Sequence, residues 1–384
     1  MPKVPPRGWQ VEALNNWVET GYRGIVSVVT GGGKTIFALS CIDKLKPTST
    51  LIVVPTTALL EQWWEEVSSY FDLDLDEINI LSSSSSFKLG TINLAVMNTA
   101  AKYSSQLIGK NVFLIVDECH KVASDYFSDI LKIDMFASLG LSATPERQYD
   151  NKLNEILIPL LGPVIFNYDY GDALKDGVIV PFELRNIVFE LEPECLQKYE
   201  KVSKSIARSI SQNGLDAEET VALFLKRARI LNLSMNRIRL ALKIVAANKG
   251  KRTLIFHEDV EACSLIYEVL KGYGIEAGIY HSKMSLKTRA ETLKFFRSGN
   301  LDVLVTCRAL DEGFNVPETE LGIIAASTAT RRQRIQRLGR VVRPAKGKTG
   351  AIIYSLVATG PEVQRLKDEE EFLDGLAVVK WSKG

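Results

Sequence analysis

The sequence has few cysteines and histidines and no long apolar run. Its five cysteines lie far apart without a C-x-x-C pair, and three histidines occur among 384 residues. These counts argue against structural zinc and a disulfide framework and indicate a reducing compartment. The most apolar stretch, residues 156–166, is interrupted by two prolines and a glycine and is too short to span a bilayer. The first residues lack the apolar core of a signal peptide, so we expect a cytoplasmic protein without membrane contact.

The nearly neutral net charge hides an uneven distribution of basic residues. The formal net charge is +1, yet no acidic residue occurs between Glu320 and Glu362. The same interval concentrates basic side chains, a pattern that attracts phosphates: Arg331, Arg332, Arg334, Arg337, Arg340, Arg343, Lys346 and Lys348. A second basic group precedes residue 250 on a helical pattern: Lys226, Arg227, Arg229, Arg237, Arg239 and Lys243. This second group is open to two interpretations, a nucleic-acid face or a solvated face.

An apolar, β-branched run enters three consecutive glycines near the N-terminus. Residues 24–35 read GIVSVVTGGGKT, so a strand, a loop and the start of a helix follow one another. Glycines let backbone N–H groups close around a polyphosphate, and the helix N-terminus adds a favourable field. The predicted nucleotide-binding loop is Thr30, Gly31, Gly32, Gly33, Lys34 and Thr35. In it, Lys34 would contact the β- and γ-phosphates and Thr35 would hold Mg²⁺.

A fully apolar run ends in two adjacent carboxylates. Residues 112–116 read VFLIV, which is typical of a central parallel strand, and Asp117 and Glu118 follow directly. Two carboxylates at the tip of a buried strand cost free energy unless they hold a cation or take part in proton transfer. Given the phosphate-binding loop upstream, we predict that Asp117 holds Mg²⁺ and that Glu118 orients and deprotonates the attacking water.

Short apolar runs alternate with helical patterns in both halves of the chain. Strands are predicted at residues 25–29, 51–54, 93–97, 112–116 and 137–142, and again at 253–256, 276–280, 302–306, 321–325 and 351–356. An extended segment begins at Phe182. We predict an α/β fold with two doubly wound parallel-sheet domains, residues 1–182 and 183–384, joined over an interdomain cleft that holds one nucleotide. A helical insertion at about 194–248 is predicted to contain two long helices, the second from about residue 216 to Asn248.

Seven segments, in order along the chain, resemble the motifs of superfamily 2 helicases. They are residues 7–10 (Q motif), 30–35 (motif I, in its shorter T-G-x-G-K-T form), 54–63 (motif Ia), 117–120 (motif II), 142–145 (motif III), 304–317 (motif V) and 336–344 (motif VI). The pattern is most similar to the xeroderma pigmentosum group B type and to the helicase subunits of restriction systems within the DEAD/DEAH-box group. Val28, Cys119 and Asn315 depart from the usual residues, and none of these departures removes a catalytic group. The family implies two RecA-like domains.

The resemblance implies roles for particular residues in ATP binding and hydrolysis. Arg7 and Gln10 would contact the adenine. Arg340 and Arg343 would act as arginine fingers when the cleft closes, and Gln336 would place them or the water. Two residues of motif V would sense closure: Asp311 and Gly313.

The resemblance also implies nucleic-acid contacts and coupling. Four residues at predicted strand ends would hold the sugar–phosphate backbone: Thr56, Asn98, Thr99 and Thr306. Three residues would couple the ATP site to neighbouring loops: His120, Ser142 and Thr144.

Taken together, these features imply a cytoplasmic ATP-dependent DNA helicase or translocase that uses ATP and Mg²⁺. The implied partner is duplex, forked or branched DNA, and a nuclease acting in trans is one protein partner that the resemblance suggests. Two alternatives stay open at this point. One is a DNA-remodelling or partner-recruiting ATPase that does not separate strands, and the other is an RNA helicase.

Overall fold

Two parallel sheets organise the chain. The computed structural model describes residues 5–74, 77–82, 86–124, 126–145, 151–307, 316, 318–326, 331–373 and 375–384. The chain divides into two units, the first ending at Val178 and the second beginning at Ile179. The sequence-based boundary lies at residue 182, close to this division.

The first unit is built on a seven-stranded sheet. Its strands are β1 (Arg23–Val28), β2 (Thr50–Val54), β3 (Ile78–Ile80), β4 (Ile92–Val96), β5 (Val112–Asp117), β6 (Met135–Ser142) and β7 (Val164–Tyr168). Across the sheet they follow the order β3-β4-β2-β5-β6-β1-β7, and the described pairings are parallel. Every residue of β5 is buried. The apolar run of residues 112–116 is that of a strand covered on both faces.

Helices cover both faces of this sheet. They are α1 (Gly8–Glu19), α2 (Lys34–Leu45), α3 (Thr57–Phe71), α4 (Met97–Lys102), α5 (Ser104–Leu107), α6 (Ile158–Leu161) and α7 (Tyr170–Lys175). A turn of 3₁₀-helix at Cys119–Lys121 follows β5. The side chain of Thr56 caps α3 by accepting a hydrogen bond from the N–H of Leu59 at 3.3 Å, which explains where that helix begins.

The second unit repeats the architecture. Its strands are β8 (Phe182–Val188), β9 (Thr253–His257), β10 (Ala277–His281), β11 (Val303–Cys307), β12 (Leu321–Ile324), β13 (Ala351–Val357) and β14 (Ala377–Lys383), in the order β10-β11-β9-β12-β13-β8-β14. Its helices are α8 (Pro193–Asn213), α9 (Glu218–Asn232), α10 (Met235–Ala247), α11 (Val260–Gly272), α12 (Leu286–Ser298), α13 (Arg331–Val341) and α14 (Gly360–Phe372). Within the described residues, no helix of either unit is long and apolar enough to cross a membrane.

The predicted fold class is confirmed, and the structure adds three strands to it. All ten predicted strands are present, and the extended segment at Phe182 is β8. Sequence patterns did not predict β3, β7 or β14. β3 has three residues, and both β7 and β14 are sheet edges with mixed polar and apolar residues. Such short or mixed edge strands lack the apolar signature of a central strand.

The prediction of one long helix up to Asn248 was wrong. The first helix, α9, ends at Asn232, and a separate helix, α10, starts at Met235. The carboxylate of Glu192 stabilises the junction between α9 and α10, since it accepts hydrogen bonds from the Ser234 hydroxyl at 2.9 Å and from the backbone N–H of Asn236. A carboxylate at a helix N-terminus satisfies exposed N–H groups and stabilises the new start.

Arg237 on α10 is one of the basic residues before residue 250 that were interpreted as a nucleic-acid face or a solvated face. It lies on neither kind of face. Its side chain has no exposed surface, and its guanidinium donates to the carbonyls of Ala325 and Leu356, both at 2.8 Å. It also donates to Glu362 Oε1 at 2.9 Å. Arg237 is therefore a core residue that joins α10 to the C-terminal ends of β12 and β13 and to α14.

The buried pair Arg237–Glu362 yields a prediction about stability. Glu362→Gln would leave the guanidinium buried without its counter-charge, so we expect the second unit to lose about 3–5 kcal/mol of unfolding free energy. Arg229 is the control, because its side chain is 64% exposed beside Glu261, and Arg229→Met should cost less than about 1 kcal/mol. Hydrogen exchange of α10 and α14 amides in a urea series measures both. Equal losses in the two variants would contradict the role of Arg237.

The same pair predicts a pH dependence. Burial by itself would raise the pKa of Glu362, but Arg237 and the N–H groups of Ala358 and Thr359 lower it below the usual 4.5. A carboxyl group whose pKa is lower in the folded state stabilises fully above its unfolded pKa, and this contribution is lost as the pH falls. The stability difference between wild type and Glu362→Gln should therefore shrink between pH 7 and pH values below about 4.5. A difference that stays constant over that range would contradict this prediction.

Candidate nucleotide site

The loop between β1 and α2 has a phosphate-binding geometry. Gly31 has a φ of 87° and Gly33 a φ of 99°, both in the left-handed region that favours glycine. Gly33 is also the N-cap of α2, so the positive end of that helix faces the loop. Lys34 Nζ donates to the Val28 carbonyl at 2.9 Å, which directs the ammonium group back toward the end of β1. Thr35 follows in the first turn of α2.

The space around Gly32 shows how closely the loop is folded. A Cβ atom built on Gly32 would lie 2.5 Å from Val28 Cγ1 and 3.0 Å from the carbonyl oxygen of Val29. The second neighbour is backbone and cannot move aside without changing the loop. Thr30 is buried beside it. The loop therefore fits the polyphosphate predicted for it, because a tight backbone turn at a helix N-terminus is what holds such an anion.

Side chains at the start of helix α1 form hydrogen bonds with the carbonyl groups of this loop. Trp9 Nε1 donates to the Gly32 carbonyl at 3.2 Å, and Gln10 Nε2 donates to the Gly33 carbonyl at 3.0 Å. The guanidinium of Arg7 also reaches the Gly32 carbonyl, at 3.4 Å. These donors engage the carbonyl side of the loop. In the structure Gln10 is buried and supports the loop, whereas its contact with adenine stays a prediction.

The end of β5 presents the two predicted carboxylates. Asp117 is buried, and its Oδ1 accepts from the N–H of Glu118 while its Oδ2 accepts from Trp63 Nε1, both at 2.9 Å. Glu118 has a φ of 48°, a left-handed conformation that is uncommon for a residue with a side chain. Strained backbone of this kind is concentrated at functional sites, since the surrounding structure must hold it in place.

The three residues predicted for coupling lie close together. His120 Nδ1 lies 3.1 Å from Ser142 Oγ and 3.5 Å from Glu118 Oε2. Ser142 Oγ in turn accepts from the N–H of Thr144 at 3.1 Å. A polar chain thus runs from Glu118 through His120 to the loop after β6.

Strand order brings the loop and the carboxylates to one edge. In a parallel sheet all carboxyl ends lie on the same side, and β6 alone separates β1 from β5 in the described sheet. The two groups are therefore about 10 Å apart across two strand spacings. Thr35 from α2 and Asp117 from β5 carry oxygens of the kind that Mg²⁺ binds, because Mg²⁺ prefers one or two protein oxygens together with phosphate and water.

The predicted nucleic-acid contacts differ in exposure. Asn98 is exposed in the first turn of α4, and Thr56 is partly exposed at the start of α3. Thr99 and Thr306 are buried. In the first unit, Thr56 and Asn98 follow the neighbouring strands β2 and β4, so they lie at the same sheet edge as the nucleotide loop.

In the second unit, the arginines of residues 331–343, here called the basic block, differ in their surroundings. Arg334 pairs with Glu369 at 2.7 Å, and Arg337 pairs with Glu258 and lies 5.4 Å from the ring centre of Phe256. Both are buried in ion pairs, so they belong to the framework of this unit, although the basic block was predicted to attract phosphates. Arg340 is 6% exposed.

The end of α13 is held by a lysine. Arg343 follows α13 and is partly exposed, and its carbonyl accepts from Lys348 Nζ at 2.7 Å. Burial lowers the pKa of Lys348 to about 8, although Glu320 and Glu318 act in the opposite direction. Gln336 lies in α13, but its side chain falls outside the described residues, as do Asp311 and Gly313.

Sequence reasoning missed two tryptophans of the site. Trp9 contacts the glycine loop, and Trp63 contacts Asp117. Trp63 lies on one helix face with Leu59 and Val67, so its spacing is that of an ordinary core residue. No pattern in the sequence distinguishes it, because the contact depends on packing between α3 and the end of β5.

Two family models and several known proteins match this chain. Residues 3–147 match the model for the res subunit of type III restriction enzymes, and residues 236–345 match the model for the helicase conserved C-terminal domain. The chain is 30% identical over 386 residues to the DNA 3'-5' translocase XPB2 of Sulfurisphaera tokodaii, covering 95% of this chain and 84% of that protein. Other curated relatives are longer, and the chain spans 53% to 64% of the next ones.

Two solved structures share the fold. S. cerevisiae Dbp5 bound to RNA and ADP BeF3 superposes with a TM-score of 0.64 at 14% identity, over 98% of this chain and 90% of that chain. The ATP-dependent type ISP restriction-modification enzyme LlaBIII bound to DNA gives a TM-score of 0.67 at 16% identity, over 99% of this chain and 31% of that chain. At these identities the likeness concerns the fold.

The crowding at Gly32 predicts the effect of one methyl group. Gly32→Ala would push against the Val29 carbonyl and displace the loop, so we expect the Kd for a fluorescent ADP to rise at least about tenfold. Gly8→Ala is the matched control, because a Cβ at Gly8 meets nothing within 4 Å although it stands in α1 beside the same loop. Fluorescence titration gives both values. Wild-type affinity in Gly32→Ala would show that this loop does not hold the nucleotide.

Proposed function

The chain belongs to the xeroderma pigmentosum group B type of superfamily 2 helicases, and from this premise we propose that it couples ATP hydrolysis to movement along DNA or its unwinding. One observation carries the proposal. The glycine loop and the pair Asp117–Glu118 share one edge of a parallel sheet, with a single strand between them. A phosphate cradle beside two carboxylates is suited to phosphoryl transfer, in which positioning and charge supply most of the catalysis.

In the first unit, the loop from Thr30 to Thr35 binds the triphosphate. Lys34 moves from the Val28 carbonyl to the β- and γ-phosphates when these arrive. Thr35 and Asp117 would hold Mg²⁺, which when bound neutralises charge on the phosphate oxygens. Glu118 orients the attacking water and accepts its proton. Arg7 and Gln10 recognise the adenine from the start of α1.

The second unit supplies positive charge to the transition state. We assign this role to Arg340 and Arg343, with Gln336 placing them or the water. Asp311 and Gly313 would sense closure. The support is the position of these residues in the segments that resemble motifs V and VI, residues 304–317 and 336–344.

DNA is held at the same sheet edges through its backbone. Thr56 and Asn98 are accessible for this contact in the first unit, and Thr99 and Thr306 would take part through backbone groups or after a local rearrangement. Contacts to the sugar–phosphate backbone imply little sequence preference and a strong dependence on salt. The chain His120–Ser142–Thr144 couples this edge to Glu118.

Compartment and partners complete the proposal. All five cysteines are described, and none forms a disulfide, which fits the reducing cytoplasm. We place the protein there, acting on duplex, forked or branched DNA. A nuclease in trans is a proposed protein partner, and the support is the match of residues 3–147 to the model for the res subunit of type III restriction enzymes.

The catalytic assignment predicts two different defects in the first unit. Lys34→Ala should abolish both nucleotide binding and hydrolysis, because the phosphate contact is lost. Glu118→Gln should abolish hydrolysis and keep binding, because it changes the proton acceptor alone. Lys44→Ala, at the exposed end of the same helix, is the control. DNA-stimulated phosphate release and ADP binding measure both defects, and undiminished turnover in either variant would refute the site.

The arginine assignment predicts a loss confined to the chemical step. Arg343→Ala and Arg340→Lys should each lower kcat by about 10³-fold while ATP binding changes little, because arginine fingers act on charge that develops in the transition state. Arg297→Ala removes an exposed arginine of α12 in the same unit and should leave kcat unchanged. Single-turnover hydrolysis beside nucleotide titration separates the two effects. If a variant loses ATP binding but hydrolyses bound ATP at the normal rate, its arginine binds the nucleotide and does not act in the chemical step.

A further inference from the structure

The side chain of Trp63 forms a buried hydrogen bond with the carboxylate that is assigned to Mg²⁺. Trp63 is 1% exposed and Asp117 is 6% exposed, and the indole Nε1 donates to Asp117 Oδ2 at 2.9 Å. The two residues are separated by 54 positions in the chain. The contact therefore comes from packing between α3 and the end of β5.

Two donors engage different oxygens of the Asp117 carboxylate and help to fix its orientation. The indole N–H binds Oδ2, and the backbone N–H of Glu118 binds Oδ1. Because each oxygen is engaged by a different donor, rotation of the carboxylate about its Cβ–Cγ bond would break both hydrogen bonds. A carboxylate oxygen has two lone pairs, so an oxygen that accepts one hydrogen bond can also bind a metal ion.

The chemistry of the indole suits this task. It donates one hydrogen bond, accepts none and carries no charge. A lysine or arginine in its place would hold the carboxylate as well, but its positive charge would oppose the binding of a cation. A neutral donor orients the ligand without that repulsion.

Helix α3 keeps the indole in place. Leu59 and Val67, one helical turn before and after Trp63, are buried on the same face. The helix starts at its cap Thr56, which is among the proposed DNA contacts. Thr56 and Trp63 are seven residues apart, so one rigid segment of about 10 Å joins that contact to the metal ligand.

We propose that Trp63 is a positioning residue that orients Asp117 for Mg²⁺ and ties α3 to the metal site. The proposal rests on the proposed function, since it takes the Asp117 carboxylate as the metal ligand. Residues that hydrogen-bond a metal ligand commonly change metal affinity by about 10–100-fold when they are replaced. Trp63→Phe is the appropriate variant, because it keeps most of the buried ring and removes the N–H.

Trp17 offers a matched control in the same unit. It is fully buried, and its Nε1 donates to the carbonyl of Ser138 at 2.9 Å. Trp17→Phe therefore removes a buried indole hydrogen bond of equal length that does not involve Asp117. Both variants should lower the melting temperature to a similar extent, so stability alone does not separate them.

The test is the Mg²⁺ dependence of nucleotide binding by the full chain. Fluorescent ADP is titrated in EDTA and over a Mg²⁺ series for wild type, Trp63→Phe and Trp17→Phe. We expect Trp63→Phe to raise the half-saturating Mg²⁺ concentration about 10–100-fold and to leave ADP binding in EDTA unchanged. Trp17→Phe should keep the wild-type Mg²⁺ curve. A wild-type curve for Trp63→Phe, or an equal shift in Trp17→Phe, overturns the proposal and leaves the proposed function standing. Wild-type protein that binds no ADP overturns the proposed function itself.

A second measurement covers the case in which Trp63→Phe does not fold. The protein has five tryptophans, so ¹⁵N labelling gives five indole N–H signals. Asp117→Asn should move one of them strongly, and adding Mg²⁺ with ADP to the wild-type protein should move the same signal. If no indole signal responds to both changes, Trp63 does not act through Asp117.

Discussion

The direction of the strands in a parallel sheet is the constraint on which this site depends. Because the strands run the same way, the loops after β1, β2, β4, β5 and β6 all open on one edge. The glycine loop, the two carboxylates and the loop after β6 thereby meet, although 108 positions separate Lys34 from Ser142 in the numbering. A one-residue slip of β5 would turn Asp117 to the other face of the sheet and remove it from this edge.

Several arginines of the second unit stabilise its fold through buried ion pairs. Arg237, Arg334 and Arg337 are buried against Glu362, Glu369 and Glu258. Removing one partner from such a pair leaves an uncompensated buried charge, so these pairs tie their helices to particular strand ends. A basic cluster in the sequence is thus partly a structural feature, and its net charge overstates the number of arginines available to phosphate.

Much of the fold was predictable because central strands are apolar on both faces. The segments of β2, β5 and β9 are recognisable for that reason, and the glycine loop is recognisable because few residues adopt positive φ. The break between α9 and α10 was not predictable, since it depends on Glu192, which is remote in sequence. The burial of Arg237 depends in the same way on Glu362, 125 positions away. The role of Trp63 was hidden for a related reason, because its helical spacing is identical to that of a core residue.

In the proposed mechanism, one nucleotide site drives movement on DNA. The most direct measurement is the rate of ATP hydrolysis in the presence of single-stranded DNA, duplex DNA, forked DNA and RNA, each at low and moderate salt. We expect duplex or forked DNA to stimulate hydrolysis severalfold, this stimulation to weaken as salt rises, and RNA to stimulate hydrolysis less. A rate that no nucleic acid changes, or that RNA raises more than DNA does, would contradict this mechanism.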